Sequence, residues 1–544
     1  MKALNIRLLR RGRSSATAFG DSFAPGAERE LQLHNWQGED SAALYVGQIY
    51  SNPPAWRDFL QSLSGPLPEE LFTGGAGAVL FLPVGQRTVA VCFGHVHIAL
   101  DDDAFERGFG LRVTLNSVPR GQLRTLDLAT PDAVTFQKRI QASMDSDVQE
   151  FGVDMLRDLA RVAGGTPSDR RFARFVAGKD TLSITCDVEP ETIGAKCTEV
   201  MAVYRSHAYK RDYAWVDNMR VIKERDILNR LDAKLFRALE DLREGRVSDL
   251  HMAPPEVVNY TEGSLLHYNG FGSHGTNFTS LSIDDYVDEL NKQEFHGDIS
   301  EIKDKHRIRA MAEGSGAFSE KWRVYDCFVF ETTVHEGGRN DYYVMFAGDW
   351  YFVKRTFRDR VEAFFDSIEK VSIIGPTTCL NERELIASLD GTRDDLLNLD
   401  QRKINPAGVR YANLEPCDFL SRNREFIHLK DGHSSGPISH LWSQGVVSAE
   451  AFVSDADFRA KLREEVRCER RGFETLLPNR NATVTRTSYK VVFGIMRKPY
   501  ADGTLGLPFF SKVSLQAAAE RIAQFGLPMA IELIQKPASD AETQ

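Results

Sequence analysis

Long apolar runs are missing from this chain. No stretch approaches the roughly 18 uninterrupted apolar residues that cross a bilayer, so no membrane partner is expected. The basic start, MKALNIRLLRRGRSS, is followed by no apolar h-region, which argues against a secretory leader. Cysteine is scarce: seven in 544 residues, odd in number, scattered, and without a CxxC pair. That argues against a disulfide framework or a zinc knuckle and for reduced thiols, hence a cytoplasmic location. Low-complexity tracts, internal repeats and an HExxH pair are absent as well. The small-residue loop Glu313-Gly-Ser-Gly-Ala lacks the Lys-Ser/Thr pair of a nucleotide-binding P-loop.

An excess of positive charge is also lacking. The formal net charge is −10, which does not suit a protein coated in nucleic acid. The deficit is uneven: residues 1–375 carry 45 basic against 55 acidic side chains, whereas residues 376–544 carry 22 of each. Polyanions would therefore be met through a local cluster of Lys and Arg, the groups that make phosphate contacts.

What is present is the balance of an ordinary globular protein, 42% hydrophobic and 26% charged, and too long for one core. The pattern divides it into a β-rich α+β domain (1–125), a mixed, mainly helical region (126–245), an α+β region (246–375) and a C-terminal α/β domain (376–544). In the first, Ala78–Val84 and Thr88–Gly94 flank a Gly85-Gln86 turn and predict a hairpin, and Phe109-Gly-Leu-Arg-Val-Thr-Leu predicts a further strand. Thr198 to Glu244 has sustained helical spacing through Val216, Met219, Ile222, Ile227, Leu228, Leu231 and Leu235. Val324–Thr333 and Asp341–Phe346 read as strands, Gly348-Asp349 as a turn, Arg358–Ile368 as a helix, and Gly375-Pro376 as the last boundary. Beyond it come a helix (381–389), two strands (Val409–Phe419 and Glu425–Lys430) around a Ser-Arg-Asn-Arg turn, and helices over Pro437–Ser443 and Ser448–Arg470. A strongly apolar strand from Tyr489, a helix (Leu515–Phe525) and a strand (Met529–Ile534) complete the order of a small three-layer α/β core.

The hairpin of that core carries the chemistry. Asp418 is followed by nine residues and then by His428-Leu-Lys430. Alternate strand residues share a face, so His428 and Lys430 project together, and a hairpin centred near Asn423 sets Asp418 opposite His428. A carboxylate for Mg²⁺ or Mn²⁺, a second ligand, and a Lys to orient water or offset phosphate charge are what metal-dependent phosphodiester cleavage needs. The polar run that follows, with Ser434, Ser435, Ser439 and Gln444, offers hydroxyls, an amide and a helix start to a phosphate, and Lys512 adds a later cation. The competing interpretation is a polar surface hairpin with no role.

This D-x9-HxK spacing, in that order of elements, resembles the PD-(D/E)xK nuclease superfamily. The resemblance implies a restriction-endonuclease-like core in which Asp418 and Lys430 take the first and last motif positions. His428 stands where that pattern has an acid, and histidine is a poor Mg²⁺ ligand. Three outcomes stay open: Glu415 supplies the missing carboxylate, the metal preference is altered with Asp418 and His428 as ligands, or the core is catalytically dead.

Over nearly its whole length the chain also resembles a sporadically distributed bacterial family of unknown function. The resemblance is carried by Phe93-Gly-His-Val, Phe109-Gly-Leu, Phe151-Gly-Val-Asp154, Asp158-Leu159, Gly164-Gly-Thr-Pro, Gly178-Lys-Asp180-Thr-Leu and Ala253-Pro-Pro-Glu256. It continues through Trp350-Tyr, Leu399-Asp-Gln-Arg-Lys403, Glu415-Pro-Cys-Asp418, His428-Leu-Lys430, Ser439-His-Leu-Trp-Ser-Gln-Gly445 and Leu507-Pro-Phe-Phe-Ser-Lys512. Patchy distribution implies a defence or mobile-element locus. The expectation is a nucleic-acid-acting protein with DNA or RNA and other defence proteins as partners. Either it is a metal-dependent endodeoxyribonuclease, or it is an inactive nuclease-fold binding, sensor or scaffold subunit.

Two weaker patterns stand apart. His95 and His97, followed by Asp101-Asp102-Asp103, form a conceivable metal site, with an acidic solvated loop as the ordinary explanation. Tyr204 to Trp215 interleaves aromatic and basic residues, as single-stranded nucleic-acid surfaces do and as helices with buried aromatics also do.

Overall fold

The computed structural model describes residues 1–36, 41–52, 73–130, 136–153, 158–246, 248–256, 265–270, 277–311, 318–336, 338–405, 414–432, 435–499 and 503–537. The chain is a mixed α/β protein with several antiparallel sheets and, among the described residues, ten α-helices. None of these helices is long and apolar enough to cross a membrane. All seven cysteines are free.

The first sheet has ten strands, and Lys2–Leu8 lies near its middle, between Arg87–Gly94 and Leu182–Cys186. One half comes from residues 32–94 and the other from 123–186, so a single sheet takes strands from both sides of position 125. The Gly85-Gln86 hairpin forms as the sequence predicts, with Val84 paired to Arg87. Phe109–Ser117 is a helix and not the expected strand. Leu111, Val113 and Leu115 alternate as in a strand, but the fully buried pair is Phe109 and Val113, four apart on one helical face. Gly110 lets that helix press on the sheet, since a Cβ there would stand 2.2 Å from the Thr181 carbonyl oxygen.

Between Thr198 and Glu244 the helical spacing corresponds to two helices, Ile193–Arg205 and Arg225–Arg243, separated by turns and the short strand Met219–Val221. Met219–Val221 is the edge of a five-stranded sheet, paired to Asp349–Val353. Backbone pairing to that sheet keeps these residues out of either helix. Phe328–Glu336 lies next to the edge of the same sheet, and the strand expected from Val324 starts four residues late because Val324–Cys327 form a 3-10 turn. Arg323 grips Asp326 there with two 2.9 Å hydrogen bonds. A buried carboxylate, Asp232 on the helix Arg225–Arg243, ties this unit together. It accepts from Tyr325 Oη at 2.6 Å, Trp350 Nε1 at 3.0 Å and Lys303 Nζ at 2.5 Å. A four-stranded sheet (residues 266–323) packs alongside through Tyr268, Ile308 and Trp322.

The C-terminal sheet has six strands, here numbered β1 (Glu369–Lys370), β2 (Leu396–Asn398), β3 (Phe419–Ser421), β4 (Glu425–Asp431), β5 (Lys490–Arg497) and β6 (Met529–Gln535). Their order is β1-β6-β5-β4-β3-β2; β1, β6, β5 and β4 run parallel, and β3 and β2 are antiparallel additions. Helix α1 (Glu382–Thr392) covers one face through Leu385, Ile386 and Leu389. Helices α2 (Ser435–Ser454), α3 (Ala456–Glu469) and α4 (Phe509–Gln524) lie on the other. With both faces covered, β5 is apolar on both sides, and Val491, Val492, Phe493, Ile495 and Met496 are all buried.

Where two helices were expected over Pro437–Ser443 and Ser448–Arg470, α2 runs unbroken through Gly445 and the break falls at Asp455. A Cβ on Gly445 would stand 2.4 Å from the Phe493 ring, so this glycine serves a close helix–sheet approach and not a turn. Asp455 restarts the chain as an N-cap, accepting from the amides of Asp457 and Phe458. β1 precedes the expected 375/376 boundary yet belongs to this sheet, and Glu532 on β6 accepts the backbone amides of Ile373, Ile374 and Gly375 at 3.0, 2.9 and 2.7 Å.

Candidate functional site

The β3–β4 hairpin turns on Ser421. Its hydroxyl donates to Glu425 Oε2 at 2.7 Å and accepts the amides of Asn423 and Glu425, while Arg424 takes the left-handed conformation at φ 64°. Phe419 pairs with Ile427, and that register sets Asp418 across from His428, as the spacing implies. Of the longer first strand expected over Val409–Phe419, residues 409–413 lie outside the described residues, and the strand itself begins at Phe419.

Asp418 donates its amide to the Ile427 carbonyl at 2.9 Å, and its Oδ2 accepts the Leu429 amide at 2.5 Å. The carboxylate thereby extends the ladder one step beyond the short strand. Burial pushes its pKa up to about 7, against the pull of the Leu429 amide and with help from the Asp400, Glu382 and Glu415 carboxylates. His428 is buried on the α2 face, with Nε2 3.2 Å from Ser448 Oγ and its ring 5.9 Å from that of Phe493. Burial lowers its pKa to about 4, so the imidazole stays neutral.

Lys430, two residues on, stands at the exit of β4. Its ammonium lies 2.9 Å from Glu382 Oε2 and 3.1 Å from Oε1, and the Asp431 amide also donates to Oε2 at 3.2 Å. Glu382 reaches this position from the first turn of α1. Asn381 caps that helix by accepting the Glu384 amide, and Glu384 returns a bond from the Leu380 amide.

Asp418, Lys430 and Glu415 are thus brought to one end of the sheet, with Glu415 near enough to act on Asp418 electrostatically. The structure adds two acids that sequence reasoning did not single out for chemistry, Glu382 and Asp400. Their signals were visible: an acid in the first turn after a good N-cap, and the Leu399-Asp-Gln-Arg-Lys403 segment. Ser434 lies outside the described residues, and Ser435 and Ser439 contribute their backbones to the start of α2. Gln444 is half-buried on α2. Lys512 sits elsewhere, on α4, bonded at 2.6 Å to Glu362 and over the Phe365 ring, so it serves the packing of α4 on the helix Arg355–Ser367.

Among the described residues no group of three or more His, Cys, Asp or Glu side chains is placed to hold a metal ion. His428 and Asp418 turn to different partners, the Ser448 hydroxyl and the Leu429 amide. The donors around Asp418 are all carboxylate oxygens, which suit Mg²⁺ or Mn²⁺ in kind, and their mutual repulsion is what a cation would relieve.

The weaker patterns resolve as follows. The strand holding Phe93 ends at Gly94, His97 lies in a 3-10 turn, and the neighbouring acids are engaged: Asp101 by the Asp103 amide, Asp102 by Arg7, Asp103 by Arg107. In the Tyr204–Trp215 segment Tyr209 and Tyr213 are buried.

No curated protein and no solved structure matches the chain. One family model, described as a family of unknown function (DUF6119), matches residues 4–535, and the chain belongs to that family.

Proposed function

We propose that the chain acts on nucleic acid through its C-terminal core, a restriction-endonuclease-like α/β unit with a variant PD-(D/E)xK site. The observation that carries this reading is the meeting of Lys430 with Glu382 at the exit of β4, beside the Asp418 carboxyl. Glu382 then stands in for the acid that His428 does not provide, and His428 is a core residue. Asp418 and Glu382 would share Mg²⁺ or Mn²⁺ with water and the substrate phosphate, without a third protein carboxylate. Such an ion, when bound, supplies Lewis-acid stabilisation of a phosphodiester. Lys430 offsets charge on the phosphate and orients the attacking water. Partners on this reading are DNA or RNA and other proteins of a defence or mobile-element locus.

Incubating the full-length protein with supercoiled, linear and single-stranded DNA and with RNA, in Mg²⁺ or Mn²⁺, tests it. Cleavage lost in Asp418→Ala and Lys430→Ala is expected; cleavage that survives both refutes the assignment.

A second reading is favoured by the neutral, buried His428 and by the Asp418 carboxyl held protonated up to about pH 7. On it the same core binds nucleic acid without cutting, as a sensor or scaffold subunit. Salt-dependent binding with no metal requirement would support it. Absence of DNA and RNA binding at low salt would remove it.

A further inference from the structure

Far from Asp418 in sequence, a cavity of about 320 Å³ opens where the ten-stranded sheet meets the five-stranded one. Its walls come from the helix Phe109–Ser117, the strand Leu159–Gly165 and the Lys179-Asp180 turn on one side, and from Met219–Val221 and Asp349–Val353 on the other.

The lining combines apolar and aromatic side chains, Leu111, Leu115, Tyr204, Val216 and Met219, with the cations Arg107, Arg161 and Lys179, which are close enough to act on one another electrostatically. Six cations line it against four carboxylates, within the part of the chain that carries the whole acidic excess. The cations are incompletely matched. Asp180 is engaged by the Gly108 amide at 2.7 Å and by Arg107 at 3.5 Å, and it stands 3.9 Å from Lys179. Arg161 gives Nη2 to the Pro255 carbonyl at 3.3 Å, but its buried Nη1 has no hydrogen-bond partner among the described residues, while Arg107 Nε lies 3.6 Å from the Asp349 carboxylate. Burial, and then the neighbouring Arg161, hold the Lys179 ammonium below its usual range, which an arriving anion would reverse. Cavities of about 300–1,000 Å³ are the size of small-molecule sites, and Arg and Lys together are the usual grip on phosphate.

We propose that this seam cavity binds a phosphorylated small molecule of mononucleotide size, its phosphate held by Lys179 and Arg161 and its ring against Leu111, Tyr204 and Met219. The site is independent of the nuclease reading. Because its walls belong to two sheets, occupancy would also fasten them together.

Calorimetric titration of the full-length protein with AMP, ATP, adenosine and a ten-residue single-stranded oligonucleotide tests it. Saturable binding of AMP or ATP is expected, at least tenfold tighter than adenosine. That binding should weaken at least tenfold in Lys179→Met and Arg161→Ala, survive within threefold in Lys179→Arg, and be unchanged in Lys430→Ala. No binding of AMP or ATP to the wild type, or binding of the oligonucleotide alone, overturns the proposal. So does wild-type affinity in both Lys179→Met and Arg161→Ala. Thermal unfolding of each variant reads its fold separately.

Discussion

Lys430 and Glu382 meet at 2.9 Å, although 48 residues of chain separate them. The lysine leaves the end of β4 and the glutamate enters from the first turn of α1, so two elements with different structural duties place one ion pair. Both side chains are about a quarter exposed, at 28% and 26%, which leaves the pair accessible from solvent.

That contact yields the first prediction. Glu382→Gln keeps the helix start and leaves Lys430 a polar neighbour, so it costs about 1 kcal/mol or less of stability. If the core cuts nucleic acid, the same substitution lowers the cleavage rate by about 10²-fold or more. Chemical denaturation and single-turnover cleavage on the same preparation separate the two effects.

The paired residues Asp418 and His428 set opposite pH dependences. Asp418 has its pKa raised from 3.8 to about 7, so its contribution to stability is full below about pH 4 and is lost as the pH rises through 7. His428 has its pKa lowered from 6.5 to about 4, so its contribution is full above 6.5 and is lost as the pH falls through 4. Over pH 4–7 the two dependences oppose each other, so Asp418→Asn, whose amide oxygen can still accept from Leu429, is expected to leave stability rising with pH there through His428. Denaturation midpoints across that range, in wild type and variant, read the slope. Metal-dependent cleavage, if present, rises over the same interval as Asp418 ionises.

Asp232 answers three donors at once, and its removal strands all three. Asp232→Ala is expected to destabilise the middle of the chain by about 3 kcal/mol or more, because a buried hydroxyl, an indole N–H and an ammonium lose their acceptor together. Trp350 is one of the donors, so tryptophan fluorescence during urea unfolding is a direct reporter. A loss under 1 kcal/mol would contradict this account.

Gly445→Ala forces a methyl group to within 2.4 Å of the Phe493 ring and is expected to cost about 1–3 kcal/mol. Adding Phe493→Leu should recover part of that loss, since the two changes act on the same space. Equal costs for the single and double variants, measured by thermal unfolding, would show that the helix can simply move away.

The C-terminal order of elements was legible because its signals are local: an apolar run for β5, an N-cap at Asn381, and a turn between β3 and β4. The errors have local causes as well. Phe109-Gly-Leu-Arg-Val-Thr-Leu satisfies a two-residue period and a helical one together, and only the sheet beneath it decides. Gly445 looks like a helix breaker in sequence, and its role needs Phe493, 48 residues away, to be seen. Half of the candidate site was visible from D-x9-HxK, because register transmits spacing across a hairpin. Glu382 was not, because nothing in a sequence says which end of a sheet a preceding helix will start from. The imidazole of His428 was placed on the right strand, but its Ser448 partner lies on α2, beyond the reach of strand periodicity.

Glu532 holds the amides of residues 373–375 from a strand 157–159 residues later. During synthesis, then, the C-terminal sheet can nucleate as the β3–β4 hairpin, but β5 keeps an open edge until β6 has emerged, and β1 has no neighbour before that. The long-range closure should be the slow step of folding. It also sets the smallest fragment worth making: one that begins at 376 discards β1 and the three amides, and leaves a buried carboxylate without its donors.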